Sequence, residues 1–277
     1  MKPPVTAIAA VWLLAASGAL GENRLQPAAS PIVTVEAHRF TGGSEREDSM
    51  WSALYGAKSG KLYIGLCTHA EAAHFYEFDP ATQTMHHIAD LTEFKGERGA
   101  GVRTSGKIHV RMSEDEQGRI YFGDFCEDTG PECVDPASYR GPHWFRYDPK
   151  QRKLENLGRI NRQWGLLGFV FEPRYQRLYG PAEDGHPHTF DLKTKVTEDV
   201  CKLISYDTTG REGFRDWGVL AVDRSPYYAK RAYQFDAMTV GADGTIFIGE
   251  SDRRACLFLF LPGGKGFEGG FNPSNPR

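Results

Sequence analysis

No two cysteines in this 277-residue chain are spaced C-x-x-C, so neither a zinc ribbon nor a c-type haem attachment is written into it. Basic residues are not in excess: 33 Lys and Arg stand against 36 Asp and Glu, a formal net charge of -3. Nucleic-acid partners call for a basic stripe that displaces phosphate counterions, and this balance argues against them. Helical periodicity is absent almost everywhere. Asparagine is scarce, confined to Asn23, Asn156, Asn161, Asn272 and Asn275. No apolar run reaches the roughly 20 residues that a helical membrane span requires.

The longest apolar run is at the start. Residues 1–21, MKPPVTAIAAVWLLAASGALG, join a weakly basic beginning at Lys2 to an apolar stretch from Val5 to about Ala16, then small residues before a polar segment. That is the pattern of a cleaved secretory leader, which predicts an exported chain, secreted or periplasmic, whose residues 22–277 form a single, monomeric domain. The charge becomes -4 once Lys2 leaves with the leader. Export permits disulfides, and Cys126 and Cys133 in CEDTGPEC are near enough to staple one loop. Cys67, Cys201 and Cys256 have no evident partners in the sequence.

What the chain does contain is a repeat. SGKLYIG (59–65), QGRIYFG (117–123), YQRLYG (175–180) and DGTIFIG (243–249) each place a turn before a short aromatic and aliphatic run. Such alternating, β-favouring runs after Gly-containing dipeptides read as strands. Downstream come FYEFDPATQT, WFRYDPKQRK and TFDLKTK, strands that end in an aspartate and a tight reversal, and then LFLFLPGGKG without the aspartate. Further strands follow, as in MHHIADL and LENLGRI, and others precede, as in LLGFVFEP and DAMTVGAD.

Four antiparallel strands repeating at this spacing predict an all-β fold, a β-propeller of four-stranded blades. Tyr63, Tyr121 and Tyr179 are each 58 residues apart, whereas Phe247 follows Tyr179 by 68. An irregular blade is therefore expected around DWGVLAVDRSPYYAKRAYQ (216–234), with PIVTVEAHRF (31–40) closing the last one, for about five blades in all.

The phrases GRIYFG and FRYDP resemble the blades of the gluconolactonase group and of propeller polysaccharide lyases of the oligogalacturonate-lyase and ulvan-lyase kind. The resemblance implies a propeller acting on carbohydrate, and those families generally have six or seven blades, so this chain is either a compact ring or one from which a blade has been lost.

A histidine stands five positions before the aspartate of three repeats: His74, His143 and His186. Strand parity puts it on the face of the repeated aromatics, which reads as blade construction; its position directly after each blade's longest loop is the opposing, functional reading. Three such points on successive blades are too far apart to share one ion. The local pair His186 and His188, about 7 Å apart along one strand face, is the candidate for a single divalent metal.

Candidate reacting residues gather in the second repeat. In KIHVRM, His109 and Arg111 share a face on the strand nearest the axis, a titratable imidazole beside a fixed cation. DPASYRGPHW adds Tyr139, Arg140 and His143. A uronate lyase needs a cation for the sugar carboxylate, a base for the adjacent proton and a group to protonate the leaving oxygen. Arg111 or Arg140, His109 or His143, and Tyr139 are available for those roles. Arg215 and Trp217 in FRDWG are substrate-binding candidates at the rim. A metal-dependent lactonase could draw on Glu172, Glu183 or Asp184, and the scarcity of asparagine counts against it. The leading expectation is a lyase on an acidic polysaccharide or oligosaccharide; the alternative is a propeller that binds a glycan or protein without reacting.

Overall fold

The repeated phrases fold as antiparallel strands, each hydrogen-bonded to its neighbour in the chain. A computed structural model describes residues 36–68, 71–126, 138–159, 168–183, 196–226, 235, 237–249 and 257–263. Residues 39–277 form one compact unit holding every described strand; of the unit formed by residues 1–38, only the exposed residues 36–38 are described.

The first sheet sets β1 (Leu54–Gly56), β2 (Leu62–Thr68), β3 (Ala72–Asp79) and β4 (Thr84–Asp90) side by side, and a single helical turn, α1 (Leu91–Phe94), follows it. The second contains β5 (Ser113–Glu114), β6 (Ile120–Gly123), β7 (Trp144–Asp148) and β8 (Lys153–Gly158). The third contains β9 (Val170–Glu172), β10 (Arg177–Glu183), β11 (Val196–Asp207) and β12 (Phe214–Pro226), and the fourth β13 (Ala237–Val240), β14 (Ile246–Gly249) and β15 (Leu257–Phe260). Four successive sheets of this kind, nearly all four-stranded, are the blades of a β-propeller.

The expected fifth blade around residues 216–234 is not present among the described residues. Residues 216–226 instead make up most of β12, the outer strand of the third sheet, paired with β11 from Val196↔Pro226 to Tyr206↔Phe214. Gly218, at φ +92, lies where that ladder shifts register and marks a bulge. TFDLKTK falls in residues 184–195, outside the described residues, and β11 occupies the third place in its sheet. Residues 36–40 form no strand, and the fourth sheet has three strands among the described residues.

The aspartates that end the repeated strands build turns. Asp79 Oδ1 accepts the Ala81 N–H at 2.9 Å, and Asp148 Oδ1 accepts those of Lys150 and Gln151 at 2.9 and 3.0 Å. Both turns then pass through a left-handed residue, Gln83 at φ 55 and Arg152 at φ 52.

Between sheets the packing is aromatic. Phe75 of the first sheet lies 4.3 Å from Phe122 and 5.6 Å from Tyr147 of the second, ring centre to ring centre. Trp144 meets Phe214 of the third at 5.4 Å, and Phe260 of the fourth meets Trp217 at 5.1 Å and Tyr179 at 5.7 Å. Offset and edge-on pairs of this kind add to the stabilisation from burial itself. Tyr63, Tyr121 and Tyr179, the evenly spaced tyrosines, are all fully buried.

Candidate functional site

The segment read as the innermost strand of the second blade, KIHVRM, runs just ahead of β5. Lys107 makes an isolated antiparallel bridge to Phe125, while Ser113 pairs with Tyr121, so this side carries two residues more than its partner between the two contacts. The segment bulges, yet its alternation survives. Ile108, Val110 and Met112 are buried in the core, and His109 is half-buried with Arg111 exposed beside it on the other face. The His109 ring lies 5.3 Å from Trp51 and 5.4 Å from Phe125, and the Lys107 ammonium sits 4.6 Å above the Trp51 ring.

Tyr139 and His143 gather elsewhere, around Asp124. That carboxylate follows β6 directly and is fully buried. Its Oδ1 accepts the His143 N–H at 2.6 Å, and its own N–H donates to the His143 carbonyl at 3.2 Å, so the two ends of the β6–β7 connection are pinned to each other. The connection from α1 toward β5 brings in Lys95 and Glu97. Lys95 Nζ lies 2.8 Å from Asp124 Oδ2 and 2.7 Å from Glu97 Oε2, and Thr104 Oγ1 donates to that same Glu97 oxygen at 2.8 Å. Burial opposes the Lys95 ammonium, but the charges of Asp124 and Glu97 outweigh it and hold the Lys95 pKa above its ordinary value. The ammonium is thereby committed to two carboxylates.

Tyr139 is buried, its hydroxyl 3.2 Å from Ser105 Oγ. Burial, then the nearby Cys126 and the charge of Asp124, push its pKa well up, so the phenol keeps its proton. Arg140, the next residue, is exposed. Cys133, the expected partner of Cys126, lies outside the described residues.

The two ring nitrogens of His143 have different surroundings. Its Nδ1 lies 2.8 Å from Asn156 Oδ1 on β8, and in the first sheet His74 Nδ1 lies 3.0 Å from His87 Nε2 on β4. The two bonds cross to the outer strand at matching places, just beside a register shift in each sheet. That bond is construction. The other nitrogen of His143, Nε2, is buried with no hydrogen-bond partner among the described residues and lies 4.0 Å from Glu97 Oε1. A buried polar atom left in this way costs stability unless something else occupies the gap.

Sequence reading missed Lys95, Glu97 and Asp124. None belongs to a repeated phrase, and only the position of Asp124 at the end of a fully apolar strand hints at a buried carboxylate. Glu172 is buried but accepts from Arg174 Nε and Tyr175 N–H, both at 2.8 Å, so it closes the β9–β10 turn. His186 and His188 lie outside the described residues, Asp184 does too, and nothing is described of the Glu183 side chain. Among the described residues no three His, Cys, Asp or Glu side chains converge as metal ligands.

Arg215 and Trp217 belong to a third place, at the turn end of the third sheet. The Arg215 guanidinium stacks on the Trp217 ring, 3.7 Å from its centre, and Trp217 Nε1 donates to Ser205 Oγ at 2.8 Å.

No family model matches the chain, and no curated protein matches it. Solved structures do match, as folds. A Hadza microbial sialidase aligns with 80% of this chain and 46% of its own at 12% identity, with a TM-score of 0.50. A protein carrying a provisional gluconolactonase description aligns with 77% of this chain and 61% of its own at 18% identity and a TM-score of 0.41. Hydrazine synthase of Kuenenia stuttgartiensis aligns with 75% of this chain and 51% of its own at 10% identity and a TM-score of 0.46. The chain thus spans roughly half the length of these structures. Identities this low speak to the fold alone, and unrelated chemistries share it.

Proposed function

We propose that this propeller is an exported, carbohydrate-active enzyme that cleaves a uronate-containing polysaccharide by β-elimination at the pair formed by His143 and Glu97. The observation that carries the reading is the buried Nε2 of His143, without a hydrogen-bond partner among the described residues and 4.0 Å from Glu97 Oε1. A base of this kind, fixed through Nδ1 and facing a carboxylate through its other nitrogen, is what abstraction of an acidified C–H proton requires.

In a uronate the proton at C5 is acidified by the neighbouring carboxyl group. His143 Nε2 takes that proton, the C4–O bond breaks as the C4=C5 double bond forms, and the proton passes from the imidazolium to the departing oxygen. The elimination is redox-neutral and needs no co-reactant. Arg140, exposed three residues before His143, is the cation for the sugar carboxylate, because Lys95 is already held by Asp124 and Glu97. The base is assigned to His143 rather than to His109, whose ring packs against Trp51 and Phe125. Tyr139, hydrogen-bonded to Ser105 inside the protein, supports the wall of the site.

The test is the ultraviolet absorbance of the unsaturated product when the purified protein meets pectate, alginate or ulvan. Activity on one of them is expected to fall by about 10²- to 10⁴-fold in both His143→Ala and Glu97→Gln, and to persist in His109→Ala. A folded protein silent on all three glycans would overturn the reading.

A further inference from the structure

The turn end of the third sheet holds a second concave place. A cleft of about 450 Å³ is lined there by Tyr175, Arg177, Arg211, Arg215, Trp217 and Gly263, among others. That is the volume of a small-ligand pocket. It is formed by the β9–β10 and β11–β12 turns and the stretch after β15. The His143 centre is built on the connections from β4 to β5 and from β6 to β7, so the two places share no residue.

The arginines of the cleft divide into two kinds. Arg177 and Arg174 are structural: Arg177 Nη1 meets Glu212 at 2.7 Å and its Nε meets Ser205 Oγ at 3.0 Å, while Arg174 Nε meets Glu172 at 2.8 Å. Arg211 and Arg215 have no carboxylate within ion-pair distance among the described residues. Arg211 Nε donates to Thr209 Oγ1 at 3.2 Å, and Arg215 spends its flat face on Trp217. A guanidinium stacked on an indole still has its N–H edge to offer, in a fork that fits a carboxylate.

The base of the cleft is rigid. Asp207 accepts the N–H groups of Thr209 and Glu212 at 2.9 and 3.0 Å. Burial works against its charge, but the Thr209 hydroxyl, those N–H donors and Arg177 outweigh it and hold its carboxyl below the usual range. Trp217 is fixed through Ser205 and Phe260. Tyr175, 46% exposed, presents an aromatic face at the opening. Its hydroxyl lies against Gly263, where an added Cβ would come within 2.3 Å of it. At φ +89 that position suits glycine alone, so the fold keeps a space in which the tyrosine ring stands.

We infer that this cleft binds a carboxylate-bearing pyranose, with the sugar carboxylate on Arg211 and Arg215 and the apolar face of the ring over Tyr175. Two cations with no carboxylate partner among the described residues, in a protein whose formal charge is -3, select an anion locally against the overall field. A single exposed aromatic ring beside them selects a ring-sized ligand over a bare ion. The inference does not depend on elimination at His143.

Calorimetric titration with trigalacturonate tests it, using the full chain and its His143→Ala variant so that binding is read without turnover. Binding is expected in both proteins. The double variant Arg211→Ala, Arg215→Ala should weaken it about 10- to 100-fold, as for the loss of charge-assisted hydrogen bonds. Tyr175→Ala should weaken it too, and Arg215→Lys should not restore full affinity, since an ammonium lacks the fork. Neutral trigalactose should not bind. Trigalacturonate affinity unchanged in the double variant would overturn the site, and inorganic phosphate competing at equal affinity would overturn the sugar in favour of any small anion. Loss of binding in His143→Ala alone would place the ligand at the other centre.

Discussion

A Cβ at position 65 would come within 2.6 Å of the Ile108 Cβ and 2.8 Å of the Ala53 Cβ. Gly65 lies in β2, and the absence of its side chain lets the bulged segment before β5 pack onto the first sheet. Gly65→Ala is expected to destabilise by about 1–3 kcal/mol, the range for overpacking a filled core, read as a lowered midpoint of thermal unfolding. An unchanged midpoint would mean that the two sheets separate easily there. At the same scale His143 shows what a lone sequence reveals. Its five-residue spacing from Asp148 is visible in the chain and accounts for the Nδ1 bond to Asn156. The exceptional feature, an Nε2 facing Glu97, depends on a residue from a connection with no repeat, some 46 positions away, and no local pattern announces it.

Elements were legible where side-chain alternation and turn chemistry agreed. β2, β3, β6 and β7 follow their phrases because alternating aromatics fill both faces of a sheet packed on its neighbours, and Asp79 and Asp148 stop them. Legibility failed at bulges. KIHVRM has strand alternation but pairs only through Lys107, leaving Ser113 and Glu114 as β5, and Gly218 bends β12 rather than ending it. The turn chemistry makes its own prediction. Asp148→Ala removes the acceptor of two backbone N–H groups and leaves Arg152 in a left-handed conformation, at a cost of about 1–3 kcal/mol; Asp148→Asn, which keeps an acceptor oxygen, should recover most of it. Urea unfolding midpoints of the two variants decide between them, and equal losses would show that the carboxylate charge, not the acceptor, holds the turn.

Across the whole molecule three buried tyrosines and the half-buried Tyr55 act together. Tyr63 donates to Glu77 at 3.0 Å, Tyr121 to Asp115 at 2.9 Å, Tyr76 to Glu47, and Tyr55 to Glu114 at 3.3 Å, the last pair joining the first sheet to the second. Burial first, and then the carboxylate beside each, raise every one of these phenols; Tyr55 is pushed up to about 12 and the other three further. A raised pKa means that folding favours the protonated form. The stabilisation is complete below the unfolded tyrosine value near 10 and is lost as pH rises through the folded values. Lys95, also raised, adds loss in the same direction. The urea midpoint should therefore not fall on account of these groups between neutrality and about pH 9, and should decline above about pH 10. Part of the phenolate absorbance from the 12 tyrosines should appear only as the near-ultraviolet circular dichroism collapses. Titration of every tyrosine near pH 10 with that spectrum intact would contradict the shared burial on which the joint between the first two blades rests.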